Sequence, residues 1–292
     1  MLSLSCPDRP GIVHAVSAFL VEQGCTIVDS QQFGDRQSGL FFMRIAFAPV
    51  GGWGGAGRVI EPPRRPPTLE GLRDAFGRVA RPFGMTWHLD RESTKQRVLI
   101  MVSKLGHCLN DLLFRASTGW LHIDVVAVVG NHPDLRELSA RYGVAFHHIP
   151  ASPETKRDAE ARMLGLVDEL AVDFVVLARY MQILSDEACR RLEARAINIH
   201  HSMLPSFKGS RPYEQAHARG VKVIGATAHY VTPDLDEGPI IEQAIARIDH
   251  SMSAADVAAL GRDTECLALA RAVRWHAERR VLLDGQRTVV FR

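Results

Sequence analysis

The chain has little of what several large functional classes require. Its 35 Lys and Arg face 33 Asp and Glu, a formal net charge of only +2. No basic tail or Lys/Arg-dense stripe is present to neutralise phosphates, which argues against a nucleic-acid partner. Apolar runs such as "DVVAVVG" are far too short to cross a bilayer, so no membrane association is expected. Met1 runs straight into "LSLSCPDRPG" with no basic region or cleavage site, and the expected location is cytoplasmic. Cysteine is scarce: Cys6, Cys25, Cys108, Cys189 and Cys266 are odd in number, scattered, and lack CxxC spacing. Neither a disulfide framework nor a cysteine-based zinc site is indicated, and the five read as reduced, mostly buried thiols.

What remains is a chain of 292 residues, long enough for two ordinary domains. From Met1 to about Asp90 the order is strand, helix, strand, strand, helix, strand. "LSLSC" is a short strand; Ile12, Val13, Val16, Phe19 and Leu20 then share one helical face that ends at Gly24. "TIVDSQQFG" and "LFFMRIAFA" are strands joined by the hairpin-like "DRQSG". Leu69, Leu72, Phe76, Val79 and Phe83 fall at helical spacing before a last strand, "MTWHL". A βαββαβ unit of this size is a ferredoxin-like sandwich. The Gly/Pro-rich "PVGGWGGAGRVIEPPRRPP", residues 49–67, reads as a mobile surface loop.

The polar "RESTKQR" suits a linker, placed at residues 91–96, and residues 97–292 form a second domain. There, apolar segments such as "VLIMVS", "DVVAVVGN" and "DFVVLARYM" alternate with helical ones. That pattern indicates a doubly wound, mostly parallel, Rossmann-like sheet covered on both faces, whose site lies at the carboxyl ends of its strands. "AINIH" is one such strand, so Asn198 and His200 point to the same face. It runs into "HSMLPSFKGSRP", a loop free to shape a pocket, and farther on "VIGATAHYVTPDLDEGPIIEQ" carries Asp234, Asp236 and Glu237 between two strands. The stretches after Ile248, a long helical run and the hairpin-like "RVLLDGQRTVVF", read as scaffold of the second domain.

Two resemblances add to this reading. "CPDRPGIV" resembles the ACT domain, whose members commonly sense small molecules such as amino acids. That resemblance implies a regulatory site at Asp8, Gly11 and Ile12, with Asp8 as a candidate helix cap and Gly11 allowing close approach of a ligand. The bland alternative is a tight turn. "INIHHSMLPSFKG" followed by "HYVTPDLDEGPII" resembles the folate-dependent formyltransferase superfamily, over about Arg97 to Ile248. By motif position the resemblance implies a catalytic trio of Asn198, His200 and Asp236.

An ACT-like unit ahead of such a domain, together with "NIHHS", is similar to the deformylase branch of that superfamily. The implied reaction is hydrolysis of 10-formyltetrahydrofolate to formate and tetrahydrofolate, balancing one-carbon pools and supplying formate for purine synthesis. The residue types suit it. A tetrahedral oxyanion needs donors, which Asn198 and His200 supply, and a carboxylate at Asp236 would orient and strengthen the imidazole. No metal, tightly bound cofactor or covalent nucleophile is required.

Relatives that formylate a ribonucleotide hold its phosphate on a Gly/Ser-rich turn after the first strand of this domain; here the turn is "VSKLGHC", nearly glycine-free. His201 stands where those transferases usually have Pro and is a candidate for positioning water. Met181, Gln182, Ile183, Leu184, Val231 and Leu235 are the expected folate contacts by resemblance, with Gln182 where some relatives have Arg. Lys208 is assigned to solvent rather than to the folate tail. His147, His148 and His229 read as structural, and a metal held by His200, His201, His217 and His229 is disfavoured because neighbours on a strand diverge. Two alternatives stay open: formyl transfer to an amine acceptor, and an amino-acid-sensing binding protein. Exposed edges of ACT-like sheets often pair, so a homo-oligomer is expected.

Overall fold

The computed structural model describes residues 1–50, 68–205 and 212–292. The loop expected at 49–67 therefore falls almost wholly outside the described residues, as does Lys208. The chain divides into two compact units: residues 1–94 with 279–284 and 288–292, and residues 95–278 with 285–287.

In the first unit β1 (Leu2–Pro7), α1 (Ile12–Glu22), β2 (Cys25–Asp35), β3 (Leu40–Pro49), α2 (Leu69–Ala80) and β4 (Thr86–Leu89) follow in order. The sheet order β2-β3-β1-β4, antiparallel throughout, is the ferredoxin-like arrangement expected from the pattern. One face of the sheet is closed by apolar residues of α1 and α2, where Phe76 meets both Phe19 and Trp87 edge-on at 5.1 Å. Val13 departs from the expected stripe. It is 40% exposed, because the core-facing positions of α1 are Ile12, Val16, Phe19 and Leu20. Asp8 does not cap α1: Gly11 holds the N-cap position at φ 96°, with no side-chain cap. The Asp8 carboxylate instead lies beside Gly34 of β2, and its backbone N–H donates to Gly39 O at 2.8 Å.

The second unit comprises β5 (Gln96–Val102), α3 (His107–Ser117), β6 (Ile123–Gly130), α4 (Arg136–Arg141), β7 (Phe146–His148), α5 (Lys156–Glu169), β8 (Phe174–Leu177), α6 (Asp186–Arg191), β9 (Ala196–His200), α7 (Pro212–Ala218), β10 (Val223–Tyr230), β11 (Ile240–Arg247) and α8 (Ala254–Ala277). Its sheet order is β11-β10-β9-β8-β5-β6-β7. Strands β5 to β9 are parallel to their neighbours, and β10 and β11 are antiparallel additions. The chain winds outward from β5 through β6 and β7, then returns to build β8 and β9 on the other side, so its direction reverses between β5 and β8. Val98 to Val102 and Phe174 to Val176 are at most 1% exposed, as strands covered on both faces must be. The last helix starts with a capping box, Ser253 and Asp256 each accepting the other's backbone N–H.

The terminal strands β12 (Val281–Asp284) and β13 (Arg287–Val290) were expected to complete the second domain. Most of this segment instead belongs to the first unit, where Arg279 pairs with Asp90 at 3.2 Å and Gln31 donates to the Arg292 carbonyl at 3.2 Å. Such long-range polar contacts carry no local pattern that a sequence reading could use. Cys6, Cys25, Cys108 and Cys189 are buried free thiols, and Cys266 is half-buried and also free.

Candidate active site

An open cleft of about 970 Å³, mouth included, lies where β8, β9 and the loop after β10 end. Asn198 and His200 project from β9 into it, as alternate residues of one strand must. Strand β10 runs antiparallel beside β9 with His229 opposite Asn198 and Thr227 opposite His200. The pairing of β10 with β11 shifts register between Ala228 and His229, a bulge of the kind that re-aims a side chain beside a site. The loop then carries Asp236 back over the cleft at φ 58°, a left-handed conformation that Asp tolerates better than most residues. Gly238 closes the loop. A Cβ there would fall 1.8 Å from Tyr230 O, so only glycine fits.

These elements bring the expected trio together. His200 Nδ1 lies 3.2 Å from Asp236 Oδ2, and the two side chains are 8% and 14% exposed. Nδ1 faces a carboxylate, which only accepts, so it carries a proton. The other ring nitrogen, Nε2, is buried and has no hydrogen-bond partner among the described residues. Burial by itself would raise the Asp236 carboxyl, but hydrogen bonding with His200 outweighs it and holds the group well below the usual carboxylate range. Asp236 is therefore a fixed negative charge beside His200.

His229, read as structural from the sequence, belongs to the same cluster. Its Nδ1 donates to the Tyr230 carbonyl at 2.8 Å, leaving Nε2 to accept from the Asn198 amide at 3.2 Å. The Asn198 side chain is thus turned by a neutral His229, whose Nε2 is also 3.7 Å from Asp236 Oδ1. The signal for His229 was available only from strand register, since nothing local in "ATAHYV" distinguishes it.

His201 stacks on His200 at 4.9 Å between ring centres with 13° between planes. Its Nδ1 accepts from the Arg179 guanidinium. Behind them Glu265, 1% exposed, accepts from Tyr213 at 2.6 Å, pairs with His107 Nε2 at 2.8 Å and lies 3.4 Å from Arg179 Nε. Ligand-type atoms of His107, Cys108 and Glu265 come within 4.8 Å of one another. Glu265 already neutralises Arg179, however, and with His107 and Tyr213 on its oxygens it leaves a cation no free anionic ligand. Arg179 and Glu265 escaped the sequence reading because one sits in an apolar strand end and the other deep in a long helix.

All six residues expected to touch folate line the cleft. Met181, Ile183 and Leu235 are 59%, 58% and 57% exposed, whereas Leu184 is buried at 6%. Large apolar side chains left this open beside polar groups mark a surface that a flat apolar ligand can cover. The Met181 N–H donates to Ser103 Oγ at 2.9 Å, which ties the β8 loop to the end of β5. At the other candidate site Asp8 is exposed, Gly11 gives the backbone its turn, and the Ile12 side chain is committed to the core at 2% exposure.

Comparison with known proteins agrees with this geometry. The formyl transferase model matches residues 96–273 and the ACT domain model residues 1–50. A formyltetrahydrofolate deformylase of Corynebacterium sp. (strain P-1) is 52% identical over 292 residues, covering 100% of this chain and 98% of the relative. The chain belongs to the formyltetrahydrofolate deformylase family. A crystal structure of the Burkholderia mallei formyltetrahydrofolate deformylase superposes with a TM-score of 0.92 at 48% identity, covering 100% of this chain and 98% of that one. A crystal structure of a glycinamide ribonucleotide transformylase from Symbiobacterium toebii is similar over 70% of this chain and 97% of its own, with a TM-score of 0.64 at 28% identity. Membership in this family thus extends over both units, while the transformylase likeness is confined to the larger part of the chain. Among the described residues no helix is long and apolar enough to cross a membrane.

Proposed function

We infer that the protein hydrolyses 10-formyltetrahydrofolate to formate and tetrahydrofolate, with water attacking the formyl carbon beside Asn198, His200 and Asp236. The observation that carries the reading is the buried, unpartnered Nε2 of His200, on a ring whose other nitrogen is held by a carboxylate. A buried polar atom without a partner calls for an explanation, and a substrate oxygen or the attacking water supplies one. With its second N–H the Asn198 amide is free to donate to the developing oxyanion while the first is spent on His229. As water adds, one of its protons passes to His200, and the imidazolium so formed is stabilised by Asp236 and returns the proton to the departing N10.

Hydrolysis is favoured over transfer by the turn before α3, where a nucleotide phosphate would need backbone room. A Cβ on Gly106, its one glycine, would already meet Leu135 Cδ2 at 2.8 Å. Folate would lie on Met181, Gln182, Ile183, Leu184, Val231 and Leu235, and His201 would hold the attacking water. No metal or tightly bound cofactor enters this chemistry. A cytoplasmic location, a homo-oligomeric state and an amino-acid-type effector at Asp8, Gly11 and Ile12 complete the proposal. The effector reading is supported by the N-terminus of α1, where no side chain caps the helix.

The test is formate release from 10-formyltetrahydrofolate with no acceptor present. Steady release supports hydrolysis. Formyl loss that begins only on adding an amine acceptor would replace hydrolysis by transfer.

A further inference from the structure

The stacked histidines are unequal. His200 faces a carboxylate, whereas His201 faces a guanidinium, and a guanidinium has no lone pair with which to accept a proton. The Nδ1 of His201 must therefore be bare, and its proton sits on Nε2. Arg179 is held in place for this contact. It follows β8 at φ 64°, an uncommon conformation for a non-glycine residue, and its Nε lies against Glu265. Burial would raise the Glu265 carboxyl, yet hydrogen bonding from His107 and the charge of Arg179 keep it below its ordinary value, so Glu265 is an anion. The groups seen around His201 among the described residues include Arg179 after β8, His200 on β9, and Tyr213 on α7 at 6.4 Å between ring centres. Glu265 on α8 and His107 and Cys108 on α3 lie behind Arg179; Asp236 and His229 lie beyond His200.

We propose that Arg179 is a positioning residue for the reaction, which holds His201 neutral with its proton on Nε2 so that the stacked pair contains a single proton-accepting ring, His200. Without Arg179, His201 would also take up a proton, and a cationic ring stacked on His200 at 4.9 Å would lower the basicity of His200 and disfavour the second imidazolium that must form as water adds. The same contact orients the Nε2–H of His201. The proposal rests on the reading of the cleft as the site of hydrolysis, although its central claim concerns the free protein.

Histidine tautomers are read directly from long-range proton–nitrogen correlation spectra of the ¹⁵N-labelled, substrate-free protein across pH 5 to 9, about the range in which an imidazole titrates. The expected result is one fixed neutral His201 with the proton on Nε2. In Arg179→Met, His201 should begin to titrate, kcat should fall about tenfold with KM within about threefold, and the acid limb of the kcat profile should gain a second ionisation. Guanidinium ion at low millimolar concentration should restore part of the rate. A His201 that titrates in the wild-type protein overturns the proposal, as does an Arg179→Met protein with wild-type kcat and pH profile. If Arg179→Met does not fold, the wild-type spectra still decide. Wild-type protein that releases no formate while showing the fixed tautomer would sink the hydrolysis reading and leave this one standing.

Discussion

Replacing Asp236 by asparagine separates charge from shape. The side chain keeps its size and an oxygen able to accept from His200 Nδ1, and asparagine is among the residues that best tolerate the φ of 58° found there. Alanine would add backbone strain to the loss of the carboxylate and blur the result. During attack by water His200 passes from neutral to cationic, so the charge of Asp236 matters more in the transition state than in the ground state. At the observed 3.2 Å and an effective dielectric constant of about 20, the attraction is roughly 5 kcal/mol. Each factor of ten in rate corresponds to about 1.4 kcal/mol, so the loss has a ceiling near 10⁴-fold. Asparagine retains the hydrogen bond, which puts the expected fall in kcat between about 10² and 10⁴. KM should change by less than about threefold, because the folate contacts proposed above are other residues of the cleft. The assay is formate release at saturating 10-formyltetrahydrofolate, with thermal melting as a control for folding. A folded variant that keeps more than about a tenth of the wild-type kcat would refute the argument, since the Asp236 charge would then not act on His200 during the reaction.

Three further outcomes follow from the same geometry. Ile183→Ala removes an apolar side chain that is 58% exposed in the free protein, so it should leave stability nearly unchanged and raise KM about three- to tenfold with kcat kept; unchanged KM would move folate off this wall. Gly238→Ala forces a Cβ into the Tyr230 carbonyl and should lower both kcat and the melting temperature of the second unit, detectable by calorimetry. Asp236 and Glu265 both have folded-state values below their ordinary ones, so each contributes stability that is fully present above about pH 5 and is lost as pH falls through the folded value. Denaturant unfolding between pH 6 and pH 3 should therefore show falling stability, with a smaller fall in Glu265→Gln than in the wild-type protein.

The two fold classes were largely legible because their causes are local: alternation and helical spacing in the first unit, and doubly buried apolar strands in the second. Asn198, His200 and Asp236 were legible because two of them share a strand and the third sits in a recognisable loop. What surrounds them was not. His229 reaches Asn198 only through the register of β10 against β9, and Glu265 reaches Arg179 only because α8 packs beside the end of the sheet. Neither relation leaves a spacing in the sequence. The Asp8 cap failed for a similar reason, since Gly11 took the N-cap position and the carboxylate turned toward Gly34 instead.

The path of the chain has a consequence for synthesis. Residues 1–94 share a compact unit with 279–284 and 288–292, while the 184 residues from 95 to 278 fold into another. On a ribosome the first sandwich emerges early, yet the segments that join it are made only after residues 95–278. Folding of the first unit in strict order from the amino terminus is thereby incomplete until segments 279–284 and 288–292 are made. A chain ending at residue 278 should therefore carry the main segment of the second unit but a first unit missing its final pieces.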